Sequence, residues 1–211
     1  RHALGILQIV LDQGWQISFQ NTMEASLDLI EKKAKLGKDE IKKHVEDLFL
    51  QRYKTLLIGE DFPYDAIDCV LSTGMDSIVD VKAKVAAFSD LKKQPYFESI
   101  AIAFRRVARI LDKKVNGEID PGLLNEPAEK QLYEAFLKVR NPVLDHLEKK
   151  EFPRALEKMG EMKPSVDNFF ENVMVMVDDS SLCRNRLCLL RDISVLFSDL
   201  ADFSKIVLKK S

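Results

Sequence analysis

Apolar residues recur at spacings of three and four along nearly the whole chain, the period of one buried helix face, and few segments alternate as strands do. The pattern predicts a helix from His2 to Gln13 ended by Gly14, and a second opened by Ser18 and Phe19 that runs to about Lys35. A third, from Lys38 to about Ile58, carries Ile41, Val45, Leu48, Phe49 and Tyr53 on one side. Pro63 suits a helix start, so a short fourth helix is expected to Leu71, stopped by Ser72-Thr73-Gly74. A domain boundary is placed there, dividing residues 1–74 from 75–211. Beyond it the spacing predicts helices over Asp76–Lys93, Tyr96–Lys114, about Glu126–Lys149, where Pro142 can bend the chain, and Glu151–Met162. Two more are expected from Lys163 through the apolar run to Val177 and from Leu182 to Leu200, meeting at the acidic corner Asp178-Asp179-Ser180-Ser181. The fold class expected is all-α: a helical bundle preceded by a smaller helical segment.

Composition supports that reading. With 211 residues, 46% of them apolar, the chain can bury one sizeable core or one core plus a smaller helical satellite, and it is not a disordered chain. Glycine and proline number only 8 and 7, which leaves helix favoured almost throughout. Cys69, Cys183 and Cys188 have neither metal nor redox spacing and read as ordinary thiols of a reducing cytoplasm. No apolar run approaches the roughly 18 residues of a membrane span, so no membrane association is expected. The chain opens inside the apolar periodic run Ala3-Leu4-Gly5-Ile6-Leu7 without an initiator Met, which points to a fragment of something longer.

Whole-chain charge, 32 basic against 34 acidic residues, argues mildly against a nucleic-acid partner, but local charge does not. From Leu91 to Lys114 seven basic residues face two acidic ones, and from Leu182 to Arg191 there are three arginines and no acid; Glu118 to Asp179 carries fourteen acids and eight bases. At roughly 100° per residue, the sixth helix turns Phe97, Ile100, Phe104, Val107 and Leu111 one way, while Arg105, Arg109 and Lys113 stack on the other side, flanked by Arg106. Like charges so spaced repel in an isolated helix, and such a stripe calls for an anionic partner or for acids on a neighbouring helix. The last helix is expected to bury Leu182, Leu190, Ile193, Phe197 and Leu200 and to expose Arg184 and Arg191. Arg186 falls among its buried positions and needs a carboxylate; Asp178, Asp179 or Asp167 could supply one, and an Arg186–Asp179 ion pair bracing the corner is the expectation.

No catalytic constellation is legible. His2, His44 and His146 stand alone, no glycine-rich phosphate loop exists, and no Ser/His/Asp or Cys/His order is suggestive. Neither a metal site nor a cofactor site is expected.

Several stretches carry a resemblance: Arg1-His2-Ala3-Leu4-Gly5-Ile6, Tyr64-Asp65-Ala66-Ile67-Asp68-Cys69-Val70-Leu71, Arg105-Arg106-Val107-Ala108-Arg109-Ile110-Leu111, Asn125-Glu126-Pro127-Ala128-Glu129, the run from Val166 through Phe169-Phe170 to Met176-Val177, and Asn185-Arg186-Leu187. In this order they resemble the C-terminal part of the β subunit of the bacterial two-subunit glycyl-tRNA synthetases. The resemblance implies a helical segment followed by an all-α anticodon-binding domain of the DALR type, similar to that of arginyl-tRNA synthetase. It implies an α2β2 enzyme, cytoplasmic, in which the α subunit joins glycine to ATP with magnesium and the β subunit grips tRNA-Gly. A fragment of this kind would bind the anticodon stem-loop without catalysing, and would have no DNA partner. On that basis Arg105, Arg106, Arg109, Lys113, Arg184 and Arg191 are the expected tRNA contacts, mainly to phosphates. The chain departs from the family's pattern at Arg109, where Asn is frequent, and at Cys183, where Arg is frequent. The rival reading is a helical scaffold that binds only protein, its arginines serving ion pairs between helices; acids covering the Arg105 stripe would favour the scaffold, and a stripe open beside Arg184 and Arg191 would favour RNA.

Overall fold

The computed structural model describes residues 1–30, 36–111 and 115–207, and among them there are ten α-helices and no strand. The chain divides into two compact units, Arg1–Ala86 and Ala87–Ser211.

The first unit holds α1 (His2–Asp12), α2 (Phe19–Ile30), α3 (Lys38–Gly59), α4 (Tyr64–Leu71) and the start of α5 (Ile78–Lys92). Helix α3 is the organising element, packed against α1, α2 and α4. Its Tyr53 and Leu57 are wholly buried, as are Leu7 of α1 and Ile67 and Val70 of α4. The Tyr53 hydroxyl donates to the Ile78 carbonyl at 2.5 Å, so the largest polar side chain of this core is satisfied where α5 begins. Ser18 opens α2, its Oγ accepting from the Asn21 N–H while donating to Asp76. Pro63 precedes α4 as its N-cap.

The second unit contains the rest of α5, α6 (Phe97–Ile110), α7 (Pro127–Glu148), α8 (Phe152–Gly160), α9 (Lys163–Asn172) and α10 (Ser180–Ser198), with 3-10 turns at Pro121–Leu123 and Phe203–Lys205. Helix α7 packs on α8, α9 and α10, while α6 packs on α9, α10 and the Phe203 turn. Aromatic rings fill the seam: Phe104 lies 4.0 Å from Phe197, centroid to centroid, and Phe203 meets Phe88, Phe104 and Phe197 at 5.4–5.6 Å. Phe97, Ile100, Phe104 and Val107 are buried as their spacing requires, with Leu111 half-buried at the end of α6.

The acidic corner differs from expectation. Helix α9 stops at Asn172 instead of running to Val177, and Val173 is extended at φ −120°, ψ 121°. Val173 and Val175 are buried while Met174 and Met176 are exposed, a period of two in place of 3.6. β-Branched residues favour extended chain, and alternate burial makes it the better solution here. Asp179 then restarts the helix: its carboxylate accepts from the Ser181 and Leu182 backbone N–H groups as the N-cap of α10. On α10, Leu190, Ile193 and Phe197 are buried as expected, but Leu182 is only half-buried and Asn185 joins the interior.

Candidate functional site

The basic stripe of α6 is only partly covered. Arg105 is half-buried and Arg106 and Arg109 are exposed. Neither Arg105 nor Arg109 has a hydrogen bond or ion pair among the described residues, so no described acid neutralises either. Arg106 turns toward α9, its guanidinium 4.5 Å from the Phe170 ring centroid, a cation–π contact that holds the charge while leaving its N–H groups available. Lys113 lies outside the described residues.

The arginines of α10 are committed to the fold in ways that periodicity does not reveal. Arg184 is exposed, but its Nε donates to the Asn116 carbonyl at 2.9 Å. Arg191, expected outward, is half-buried; Nε and Nη2 both donate to Asp192, and Nη1 reaches the Val115 carbonyl at 3.2 Å. The hydrogen bond to Asp192 raises the Arg191 pKa above its ordinary value, outweighing the loss of solvation. Both side chains therefore meet the turn that follows α6. Gly117 in that turn has φ +125°, and a Cβ there would stand 2.7 Å from Arg184 Nη2. The position favours glycine for its backbone conformation, and a Cβ there would push the guanidinium aside.

Arg186 is buried, as its place on the helix requires, but its partner is Glu129 of α7 rather than Asp179. Nε meets Glu129 Oε1 at 2.5 Å and Nη1 donates to the Met174 carbonyl at 2.8 Å. Asp179 is occupied as a helix cap and Asp167 with Lys163, so neither is the partner. Neighbouring Asn185 clamps the backbone of Asp120, accepting from its N–H at 2.7 Å and donating to its carbonyl at 3.0 Å. Three α10 arginines thus each hold a backbone carbonyl, of Asn116, Met174 or Val115.

Sequence reasoning missed Asn185 and Glu129 as positioning groups. A sign of Glu129 was present, three residues after Glu126 and just behind Pro127 at a helix start, where a capping carboxylate belongs. Its pairing with a residue 57 positions away left no local trace. Among the described residues no group of three or more His, Cys, Asp or Glu could hold a metal ion, and no helix is long and apolar enough to cross a membrane.

The glycyl-tRNA synthetase beta subunit family matches residues 1–72, and the DALR anticodon binding domain family matches residues 100–206, which include most of α6 and all of α7 through α10. Over 98% of its length the chain is similar to glycine–tRNA ligase beta subunits: 37% identical to that of Syntrophus aciditrophicus strain SB over 207 residues, and 38% identical to that of Geobacter sp. strain M21 over 206. A third relative of that description, from Anaeromyxobacter dehalogenans strain 2CP-1, is 37% identical over 210 residues. The chain spans 30% of the length of each of these relatives. With half of its residues inside the second family match, the chain belongs to the DALR anticodon binding domain family.

Proposed function

We propose that this chain binds the anticodon arm of tRNA-Gly as part of the beta subunit of a cytoplasmic glycine–tRNA ligase. The observation that carries the reading is the pair Arg105, half-buried, and Arg109, exposed, on one helix inside the matched anticodon-binding region, neither of them hydrogen-bonded or ion-paired to a described residue. Phosphate contacts set the register of an RNA without reading it, and long guanidinium side chains suit that task. In this reading glycine, ATP and magnesium are handled by an alpha subunit within an α2β2 assembly, and the chain itself positions RNA. The scaffold alternative draws on Arg184 and Arg191, whose contacts are internal, but it leaves Arg105 and Arg109 without a purpose.

The test is a salt-titrated binding measurement of the chain with tRNA-Gly and with an unrelated tRNA. Tighter binding of tRNA-Gly, with affinity falling steeply as salt rises, is expected; equal binding of the two would remove the anticodon-arm reading. Pyrophosphate exchange dependent on glycine should be absent with the chain alone.

A further inference from the structure

Beside the first two turns of α10 lies a shallow open groove, bordered by Val115 and Asn116 on one flank and Val177 and Asp178 on another, with Arg184 and Leu187 supplied by α10. Its flanks are held in place from the same helix. Arg184 and Arg191 bind the carbonyls of Asn116 and Val115, Arg186 binds that of Met174 just upstream of Val177, and Asp179 caps the helix between them. Buried Glu129 fixes Arg186 in turn. The groove is therefore built before anything enters it, and the cost of ordering its walls on binding is small.

Its chemistry is selective. Val115, Val177 and Leu187 are half-buried and offer an apolar surface to a flat ring. Asp178 is exposed and makes no hydrogen bond or ion pair among the described residues, and a carboxylate accepts hydrogen bonds only. Arg184 spends Nε on Asn116, while its Nη groups donate to no described residue, and a guanidinium donates only. A phosphate would be repelled by Asp178, and an aliphatic side chain would leave both charged groups unused. A nucleobase fits: it is flat, and its edge carries an N–H beside a carbonyl or ring-nitrogen acceptor. Single-stranded loops are read in this manner, through unstacked bases held by their edges.

We propose that this groove seats one unstacked base of the anticodon loop, with Asp178 accepting from an N–H on its edge and an Arg184 Nη group donating to the acceptor beside it. The inference rests on the anticodon-arm reading and adds a residue of the wrong charge for phosphate binding. That charge makes the test sharp, because deleting a carboxylate from a surface that only attracts phosphates strengthens RNA binding.

The experiment titrates the chain and its Asp178→Ala and Asp178→Asn variants with tRNA-Gly and with transcripts altered at one anticodon position each, circular dichroism confirming the fold. Expected is a loss of about tenfold in tRNA-Gly affinity in both variants, discrimination vanishing at a single anticodon position, and an unchanged salt slope. If wild type prefers tRNA-Gly but the variants bind it as tightly or more tightly, with every discrimination intact, the groove is not a base site while the anticodon-arm reading stands. Absence of any wild-type preference for tRNA-Gly would overturn both.

Discussion

Arg186 and Glu129, from helices α10 and α7, form a buried ion pair at 2.5 Å in which the carboxylate is wholly shielded from solvent. The second oxygen of Glu129 accepts from the Glu126 backbone N–H at 2.7 Å, so one carboxylate both caps α7 and neutralises the guanidinium that holds Met174. Removing either partner strands the other in the interior. Arg186→Met should lower unfolding free energy by about 3–5 kcal/mol, and Glu129→Gln combined with it should recover part of that loss because no charge is left buried. Urea denaturation of the two variants checks this; equal stability of wild type and Arg186→Met would show that the pair contributes nothing.

Arg105 and Arg109 differ from the α10 arginines in having no described polar partner, and their replacement should spare the fold. The double variant Arg105→Ala, Arg109→Ala should keep wild-type thermal stability while flattening the slope of log affinity against log salt for tRNA-Gly by about 1.4, at roughly 0.7 for each phosphate contact to a single strand. An unchanged slope would place the RNA elsewhere.

A Cβ at Gly117 would crowd the Arg184 guanidinium, which would have to shift to make room for it. Gly117→Ala is expected to cost about 1–3 kcal/mol through its backbone conformation, a φ of +125°. It should also displace Arg184 from the Asn116 carbonyl. Weakened binding of tRNA-Gly in excess of any change in salt slope would register that displacement.

Tyr53 supplies a pH dependence. Burial raises its phenol pKa far above the ordinary value of 10.0, so the folded protein retains a proton that the unfolded chain gives up. The contribution to stability is complete below pH 10 and is lost as pH rises beyond it. Ultraviolet titration should show one tyrosine that ionises only as the protein unfolds, and Tyr53→Phe should remove that step.

Helix order and most helix ends were legible in the sequence because they depend on neighbours: the three-and-four spacing of apolar residues, Ser18 and Pro63 at helix starts, Gly14 and Gly74 at stops. The same periodicity placed Arg186 inside and Arg109 outside, since a helix turns each residue by a fixed angle. Arg184 and Arg191 were read outward by that angle as well, yet they spend hydrogen bonds on a turn some 70 residues back in the chain, and Arg186 found Glu129 instead of the nearer Asp179. Which acid or carbonyl meets a long charged side chain is decided by packing between helices, because the reach of a guanidinium covers several candidates and only the folded arrangement selects among them. The segment after Asn172 follows the same logic. Its valines could continue a helix or pair burial with exposure in extended chain, and the decision came from a neighbouring helix whose arginine takes the Met174 carbonyl that an added helical turn would have used.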